Sequence, residues 1–106
     1  MSLFKTIPAV SVTEAAAAVT AKDTAFIDIR TPEEYAEGHA VGAVNIPLEE
    51  VGAAAERLKQ FAKVYIICRT GARSGVAVSK LIQAQVNAFN IAGGTVEWIQ
   101  RGLPMD

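Results

Sequence analysis

The sequence contains one cysteine and one histidine among its 106 residues, and this scarcity excludes several kinds of site. A single cysteine, Cys68, cannot form an internal disulfide or complete the Cys-x-x-Cys pair of a thioredoxin-like redox centre. One cysteine and one histidine also leave too few soft ligands for a typical zinc site. We therefore expect neither a metal nor a resident cofactor.

The sequence also lacks an excess of charge of either sign and a long apolar run. Ten Lys and Arg residues stand against eleven Asp and Glu residues, for a formal net charge of -1. Proteins that bind nucleic acids or membrane surfaces usually show a basic excess, so we expect neither partner. No apolar run approaches the roughly 18 residues of a membrane span, and residues 11–14 interrupt the apolar N-terminal stretch before it resembles a signal peptide. We expect a soluble, cytoplasmic protein.

The length and the 51% content of hydrophobic residues are enough for one core and not for two. No repeat, low-complexity segment or linker divides the chain, so we expect a single domain over residues 1–106. No surplus apolar helix face stands out, which favours a monomer or a weak dimer.

Short apolar runs alternate with segments of helical spacing along the chain. Two capping boxes, Ser11 to Glu14 and Thr31 to Glu34, indicate helix starts, and Pro32 suits a first helical position. The predicted strands lie within residues 6–12, at 25–29, near 43–45, at 63–67 and at 88–91. The predicted helices cover residues 14–20, 32–38, 48–61, 74–85 and 95–100. The residues predicted to face inward on the third and fourth helices are Val51, Ala54, Ala55, Leu58, Phe61, Val78, Leu81 and Ile82.

This alternation predicts an α/β fold with a mainly parallel sheet flanked by helices on both faces. Ligands of such sheets bind at the carboxyl ends of the strands. Cys68 follows one strand and Arg30 follows another, so we expect the two residues to share the binding edge.

Cys68 stands between an apolar strand and a helix, in a loop that carries Arg69, Gly71 and Arg73. A lone cysteine after an apolar strand is ordinarily an inert, buried thiol. Here the nearby guanidinium groups, the tight turn allowed by glycine and the start of a helix all favour the thiolate. We therefore interpret Cys68 as a nucleophile.

Two other residues invite functional interpretations that are weaker. His39 follows a predicted helix end, where a histidine more often binds helix carbonyl groups than acts as a general base. Trp98 is most simply an aromatic residue of the core.

Four stretches of the chain resemble the motifs of rhodanese-like sulfurtransferases, in the same order. Residues 68–74, Cys-Arg-Thr-Gly-Ala-Arg-Ser, resemble the family's active-site loop. Residues 28–35 and 38–47 resemble its first and second signatures, and the Gly-Gly pair at 93–94 with Trp98 and residues 102–104 resembles its C-terminal pattern. The resemblance covers the chain from about Ser11 to Pro104.

The resemblance implies a five-stranded, mainly parallel sheet and a sulfurtransferase. Cys68 would take sulfane sulfur from a small anionic donor such as thiosulfate and pass it to cyanide, a thiol or a thioredoxin-like acceptor. Asp28 and Arg30 would support the loop, more plausibly through an ion pair than through substrate contact. The residues that match the substrate-binding loop are Arg69, Thr70, Gly71, Ala72, Arg73 and Ser74; the two arginines would attract the anionic donor, and the others would contribute mainly backbone N–H groups.

Three alternatives to this function remain open. A persulfide on Cys68 would also serve a carrier that delivers sulfur to a partner protein. Phosphatases and arsenate reductases of the same fold have one more residue between cysteine and arginine than the spacing of Cys68 and Arg73, so they fit less well. A non-catalytic binding module typically lacks the cysteine that this chain retains.

Overall fold

The computed structural model describes residues 7–106, which form one sheet with helices on both faces. The strands are β1 (Ala9–Val10), β2 (Thr24–Asp28), β3 (Val44–Asn45), β4 (Lys63–Ile67) and β5 (Ala88–Ile91). The helices are α1 (Val12–Ala18), α2 (Pro32–Glu37), α3 (Val51–Leu58), α4 (Ala72–Gln83) and α5 (Gly94–Gln100), with a 3-10 turn at Leu48–Glu50 before α3. None of the helices in this part of the chain has the length and hydropathy needed to cross a membrane.

The five strands are arranged in the order β1-β5-β4-β2-β3, and every paired neighbour is parallel. The predicted α/β fold with a mainly parallel, five-stranded sheet is therefore confirmed. Strand β4 lies at the centre, between β2 and β5. Because parallel strands end at the same edge of a sheet, the segments that follow β2, β4 and β5 meet around Cys68.

Each face of the sheet buries its own hydrophobic cluster, because successive side chains of a strand point to opposite faces. Val64 and Ile66 of β4 pack with the inner residues of α3 and α4 on one face. Tyr65 and Ile67 pack on the other face with α1 and with Trp98 of α5. Burial on both faces explains why β4 is a continuous apolar run rather than an alternating one.

Both predicted capping boxes are present. The Ser11 and Thr31 side chains accept hydrogen bonds from the backbone N–H groups of Glu14 and Glu34, at 3.1 and 3.2 Å. Each glutamate side chain accepts the return bond from the cap residue's own N–H group. Pro32 lies in the first turn of α2, where its missing N–H group removes no helical bond.

Several predicted element boundaries were wrong by two or three residues. Helix α1 ends at Ala18, not at residue 20, and α4 covers residues 72–83 rather than 74–85. Gly71, in the left-handed region at φ +108°, allows α4 to begin at once, and Gln85, at φ +68°, turns the chain away soon after its end. The first strand is confined to β1, and residue 6 of its predicted range lies outside the described residues.

The predicted inward faces of two helices need correction. Phe61 is 37% exposed because α3 ends at Leu58, which removes Phe61 from the helical periodicity. Ile82 is 41% exposed, while Val78 and Leu81 are buried as predicted. A helix of this kind buries one stripe, and Leu81 occupies the inward position next to Ile82.

The start of α5 lies directly against the loop that follows β4. The backbone N–H groups of Thr95 and Val96 donate to the carbonyl oxygens of Cys68 and Arg69, at 2.8 and 3.0 Å. Gly94 has a φ of +58°, and a Cβ atom there would lie 2.5 Å from the Arg69 carbonyl oxygen. The absence of a side chain at Gly94 thus permits the contact between α5 and the loop.

We predict opposite effects on stability for two glycine-to-alanine substitutions. Gly94→Ala should lower the free energy of unfolding by about 2 kcal/mol or more, through left-handed strain and the backbone clash. Gly52→Ala should raise it by about 0.5–1 kcal/mol, because position 52 lies inside a helix and is open to solvent on its side-chain side. Urea unfolding of both variants tests this, and a small, equal change in both would contradict the close approach.

Candidate active site

The Cys68 side chain lies just beyond the end of β4 and is almost completely buried, at 1% exposure. The backbone N–H group of Gly71 donates to the sulfur at 3.0 Å. The Ser74 hydroxyl, in the first turn of α4, lies 3.2 Å from the same atom. The sulfur is therefore bordered by polar groups of its own loop and of the first turn of α4.

The pKa of the Cys68 thiol reflects two opposing effects. Burial raises this pKa, because a thiolate loses hydration inside the protein. Hydrogen bonds that the thiolate form accepts, from the Ser74 side chain and from the backbone N–H groups of Ser74, Gly71 and Thr70, lower it. The hydrogen bonds prevail, and the pKa lies below the ordinary value for a cysteine.

The loop conformation is held by β5 and α5. Asn90 of β5 donates through Nδ2 to the Gly71 carbonyl oxygen at 3.1 Å and accepts a hydrogen bond from the Ser74 hydroxyl. The Thr95 hydroxyl donates to the Cys68 carbonyl oxygen at 3.0 Å, beside the Thr95 backbone bond to the same atom. The loop is thereby bonded to two elements that follow it in sequence.

The Arg73 guanidinium group forms an ion pair with Glu34 of α2 through two hydrogen bonds. Its two terminal nitrogens lie 2.7 and 2.9 Å from the two carboxylate oxygens. The hydrogen bond from Arg73 is the largest effect on the pKa of Glu34, which falls to about 2, and Glu34 in turn raises the pKa of Arg73. The predicted anion-binding arginine is thus already engaged by a carboxylate.

Asp28 and Arg30 form a buried ion pair at the end of β2. The Arg30 Nη2 atom lies 2.8 Å from Asp28 Oδ2 and also donates to the Gly38 carbonyl oxygen at 2.7 Å. The Asn45 side chain donates to the backbone carbonyl oxygens of both residues, at 2.9 and 3.0 Å. The pair therefore ties the end of β2 to α2 and β3, and its support of the Cys68 loop stays a prediction.

Arg69 is exposed and faces a cleft of about 360 Å³ beside the loop. The cleft mixes basic, acidic and apolar groups; its lining residues are Arg30, Glu34, Glu37, Gly38, Arg69, Thr95, Val96, Ile99 and Met105. Thr70 and Ala72 are also exposed, whereas Ser74 is buried. The structure thus places Arg30 and the Cys68 loop at the same edge of the sheet.

His39 and Trp98 have the structural roles that the sequence favours. His39 Nδ1 lies 2.9 Å from the Tyr35 carbonyl oxygen at the end of α2, and its ring stacks on the Tyr35 ring. Trp98 is 2% exposed, and its Nε1 atom donates to the Pro104 carbonyl oxygen at 2.8 Å. Within residues 7–106, no three Asp, Glu, His or Cys side chains are grouped so that they would hold a metal ion.

Comparison with known proteins agrees with this architecture. Residues 11–101 match the sequence profile of the Rhodanese-like domain. The chain belongs to this family. It is 34% identical over 85 residues to the sulfurtransferase of Allochromatium vinosum, with 79% of each chain covered. It is 33% identical over 92 residues to the chloroplastic thiosulfate sulfurtransferase 16 of Arabidopsis thaliana, with 74% of this chain and 77% of the relative covered.

A solved structure supports the same assignment. The crystal structure of a rhodanese-related protein from Thermoplasma volcanium superposes with a TM-score of 0.83 at 28% identity. The match covers 93% of this chain and 97% of that one.

Three residues of this rhodanese-like domain were not recognised from the sequence as part of the site. Glu34 was identified as a capping residue within the stretch that resembles the family's first signature, and Asn90 and Thr95 only as parts of β5 and α5. The pairing of β5 with β4 brings the last two to the loop, and periodicity carries no signal of that pairing. The one available signal for Glu34 was its charge, opposite to that of the loop arginines.

We predict that the Glu34–Arg73 pair makes stability depend on pH. Because the pKa of folded Glu34 is about 2 against an ordinary 4.5, the pair stabilises the rhodanese-like domain above pH 4.5 and this stabilisation is lost as the pH falls towards 2. Glu34→Gln should lower the free energy of unfolding by on the order of 1 kcal/mol at neutral pH, since the pair is partly solvent-screened. Glutamine also retains the capping bonds.

Urea unfolding of wild type and Glu34→Gln at neutral pH, pH 4.5 and pH 3 measures this effect. The difference between the two proteins should be largest at neutral pH and should shrink across the acid range. Glu37→Gln, which removes an exposed carboxylate from the same helix, is the matched control. A difference that stays constant with pH would contradict the ion-pair explanation.

Proposed function

We propose that the protein is a sulfurtransferase in which Cys68 carries the transferred sulfur as a persulfide. The observation that carries this proposal is the set of hydrogen bonds to the Cys68 sulfur. The sulfur accepts a hydrogen bond from the Gly71 N–H group and lies in a loop whose backbone N–H groups lower its pKa. Such donors favour a thiolate and suit the negative charge of a persulfide. The sulfurtransferase relatives support the same reaction.

In the proposed first half-reaction, the Cys68 thiolate attacks the outer sulfur of thiosulfate. A sulfur–sulfur bond forms to Cys68, and the bond to the oxidised sulfur breaks with its electron pair, so sulfite leaves. In the second half, an acceptor thiolate or cyanide attacks the outer persulfide sulfur and the Cys68 thiolate is released. Attack by a thiolate on sulfur needs no strong neighbouring base, which fits a site without a histidine beside the cysteine.

The two loop arginines have different parts in this proposal. Arg69 is exposed at the cleft, and we propose that its guanidinium attracts the doubly charged donor. The charge of Arg73 is offset by Glu34, and we assign it to shaping the loop as well as to the leaving sulfite. The backbone groups of Thr70, Gly71, Ala72 and Ser74 would bind the oxyanion or sulfur, and the Asp28–Arg30 pair would support them from below.

We further propose that a small thiol or a thioredoxin-like protein is the physiological acceptor and that the reaction takes place in the cytoplasm. The cytoplasm keeps thiols reduced, which suits a catalytic cysteine without a disulfide partner. We also propose that a single domain over residues 1–106 carries this chemistry, as a monomer or weak dimer and without a cofactor.

We predict that the reduced protein gains the mass of one sulfur atom when it is incubated with thiosulfate. Intact-mass spectrometry measures the gain, and cyanide or a thiol should remove it. Cys68→Ser should show no gain while remaining folded, because the hydroxyl group is similar in size to the thiol. Sulfur transfer at the wild-type rate by Cys68→Ser would refute the assignment.

The same experiment separates the alternatives. Loading of Cys68 followed by slow discharge to cyanide and small thiols would indicate a sulfur carrier for a partner protein. No loading by thiosulfate or by persulfide donors, with hydrolysis of phosphate esters or reduction of arsenate, would favour the related phosphatase and reductase chemistry. A folded protein with none of these activities would be a binding module.

We predict that Arg69→Ala raises the KM for thiosulfate about three- to tenfold, because one charge-assisted contact to the donor is lost. Arg101→Ala, which removes an exposed guanidinium just after α5, should leave KM unchanged. Steady-state sulfur transfer to cyanide across thiosulfate concentrations provides the comparison. Equal KM values for wild type and Arg69→Ala would show that Arg69 does not contact the donor.

A further inference from the structure

Four hydrogen bonds form a closed ring that begins and ends on Gly71. The Gly71 N–H group donates to the Cys68 sulfur at 3.0 Å, and the sulfur lies 3.2 Å from the Ser74 hydroxyl oxygen. The Ser74 hydroxyl donates to Asn90 Oδ1, and Asn90 Nδ2 donates to the Gly71 carbonyl oxygen at 3.1 Å. The ring joins β4, its loop, α4 and β5 around the sulfur.

The orientation of the Asn90 amide is determined by Gly71. A carbonyl oxygen can only accept, so the amide group facing it must be the NH2 group. The amide oxygen of Asn90 therefore faces Ser74. Rotating the amide by half a turn would bring two acceptor oxygens together at Gly71, which costs the desolvation of both.

Ser74 has a single hydroxyl proton, and two acceptors compete for it. When the proton is directed to Asn90, the Ser74 oxygen presents a lone pair to Cys68 and accepts a hydrogen bond from the S–H group of the neutral thiol. When Cys68 is a thiolate, the hydroxyl stabilises it only by turning its proton to sulfur. That rotation leaves Asn90 Oδ1 without its bond.

We propose that Asn90 is a positioning residue that holds the Ser74 hydroxyl proton away from Cys68 and so favours the neutral thiol over the thiolate. When Cys68 ionises, its proton passes to solvent. The Ser74 hydroxyl then rotates, so that its hydrogen bond to Asn90 is replaced by one to the sulfur. Gly71 continues to donate to the sulfur in both states, so Ser74 is the donor that changes. The proposal rests on the proposed function only in taking Cys68 as the reacting sulfur.

Charged groups lie on the elements around Cys68, and the test must keep them constant. They belong to the end of β2, to α2, to the loop and α4, and to α5. In that order they are Asp28, Arg30, Glu34, Arg69, Arg73 and Glu97. Variants at positions 74 and 90 remove no charge, so this background is the same in all the proteins compared.

The test is the pH dependence of Cys68 alkylation by iodoacetamide in four proteins: wild type, Asn90→Ala, Ser74→Ala and the double variant. Asn90→Ala should move the midpoint to lower pH by about half to one unit, because the Ser74 proton becomes available to the thiolate. At about two units below the wild-type midpoint, alkylation should be roughly three- to tenfold faster. Ser74→Ala should move the midpoint upward.

The double variant separates this role from simple loosening of the loop. Asn90→Ala removes the Asn90 bond to Gly71 in both backgrounds, whereas its effect through Ser74 requires the hydroxyl. In the Ser74→Ala background, loss of Asn90 should therefore leave the midpoint unchanged. An unchanged or raised midpoint in Asn90→Ala, or an equal downward shift without Ser74, would overturn the proposal.

A second variant and a readout that is independent of sulfur transfer keep the role of Asn90 testable. If Asn90→Ala does not fold, Asn90→Val replaces it, since valine suits a strand and accepts no hydrogen bond. Alkylation measures the thiol and not sulfur transfer. A failure of the proposed function would appear as the absence of persulfide in the mass experiment, while the alkylation midpoints would still decide the role of Asn90.

Discussion

The parallel pairing of β4 with β2 on one side and β5 on the other is the constraint on which the site depends. Parallel strands end at one edge, so the residues after each strand are forced together there. Cys68 follows β4, and the neighbouring strands bring the Asp28–Arg30 pair and Asn90 to it. A sulfur buried at this edge is acceptable only because its loop and its neighbours supply polar partners.

Each arginine around Cys68 has a different electrostatic setting. Arg30 is buried with Asp28, and Arg73 is bound on both prongs by Glu34. Arg69 is exposed at the cleft. Two of the three positive charges thus hold elements in place, and the third is presented to solvent at the cleft. The same residue type is either paired within the fold or exposed, according to whether a carboxylate lies beside it.

Gly71, Gly94 and Ser74 provide the close contacts around Cys68 and its loop. Gly71 adopts a left-handed conformation that aims its N–H group at the sulfur, and Gly94 lets α5 bind the carbonyl oxygens of the same loop. Ser74 is shared between Cys68 and Asn90. The surroundings of the thiol therefore depend on bonds from two elements, β5 and α5, that lie more than fifteen residues further along the chain.

The sequence by itself determined the element types, both capping boxes, the strands at 63–67 and 88–91, and the loop that contains Cys68. These features depend on local propensity, periodicity and turn chemistry, which neighbouring residues encode. It did not determine the end of α3, the exposure of Phe61 and Ile82, or the roles of Glu34 and Asn90. Those depend on which strand lies beside β4 and where α2 packs against the loop. Only the tertiary structure decided them, because contacts between residues 39 or 16 positions apart leave no periodic trace in the chain.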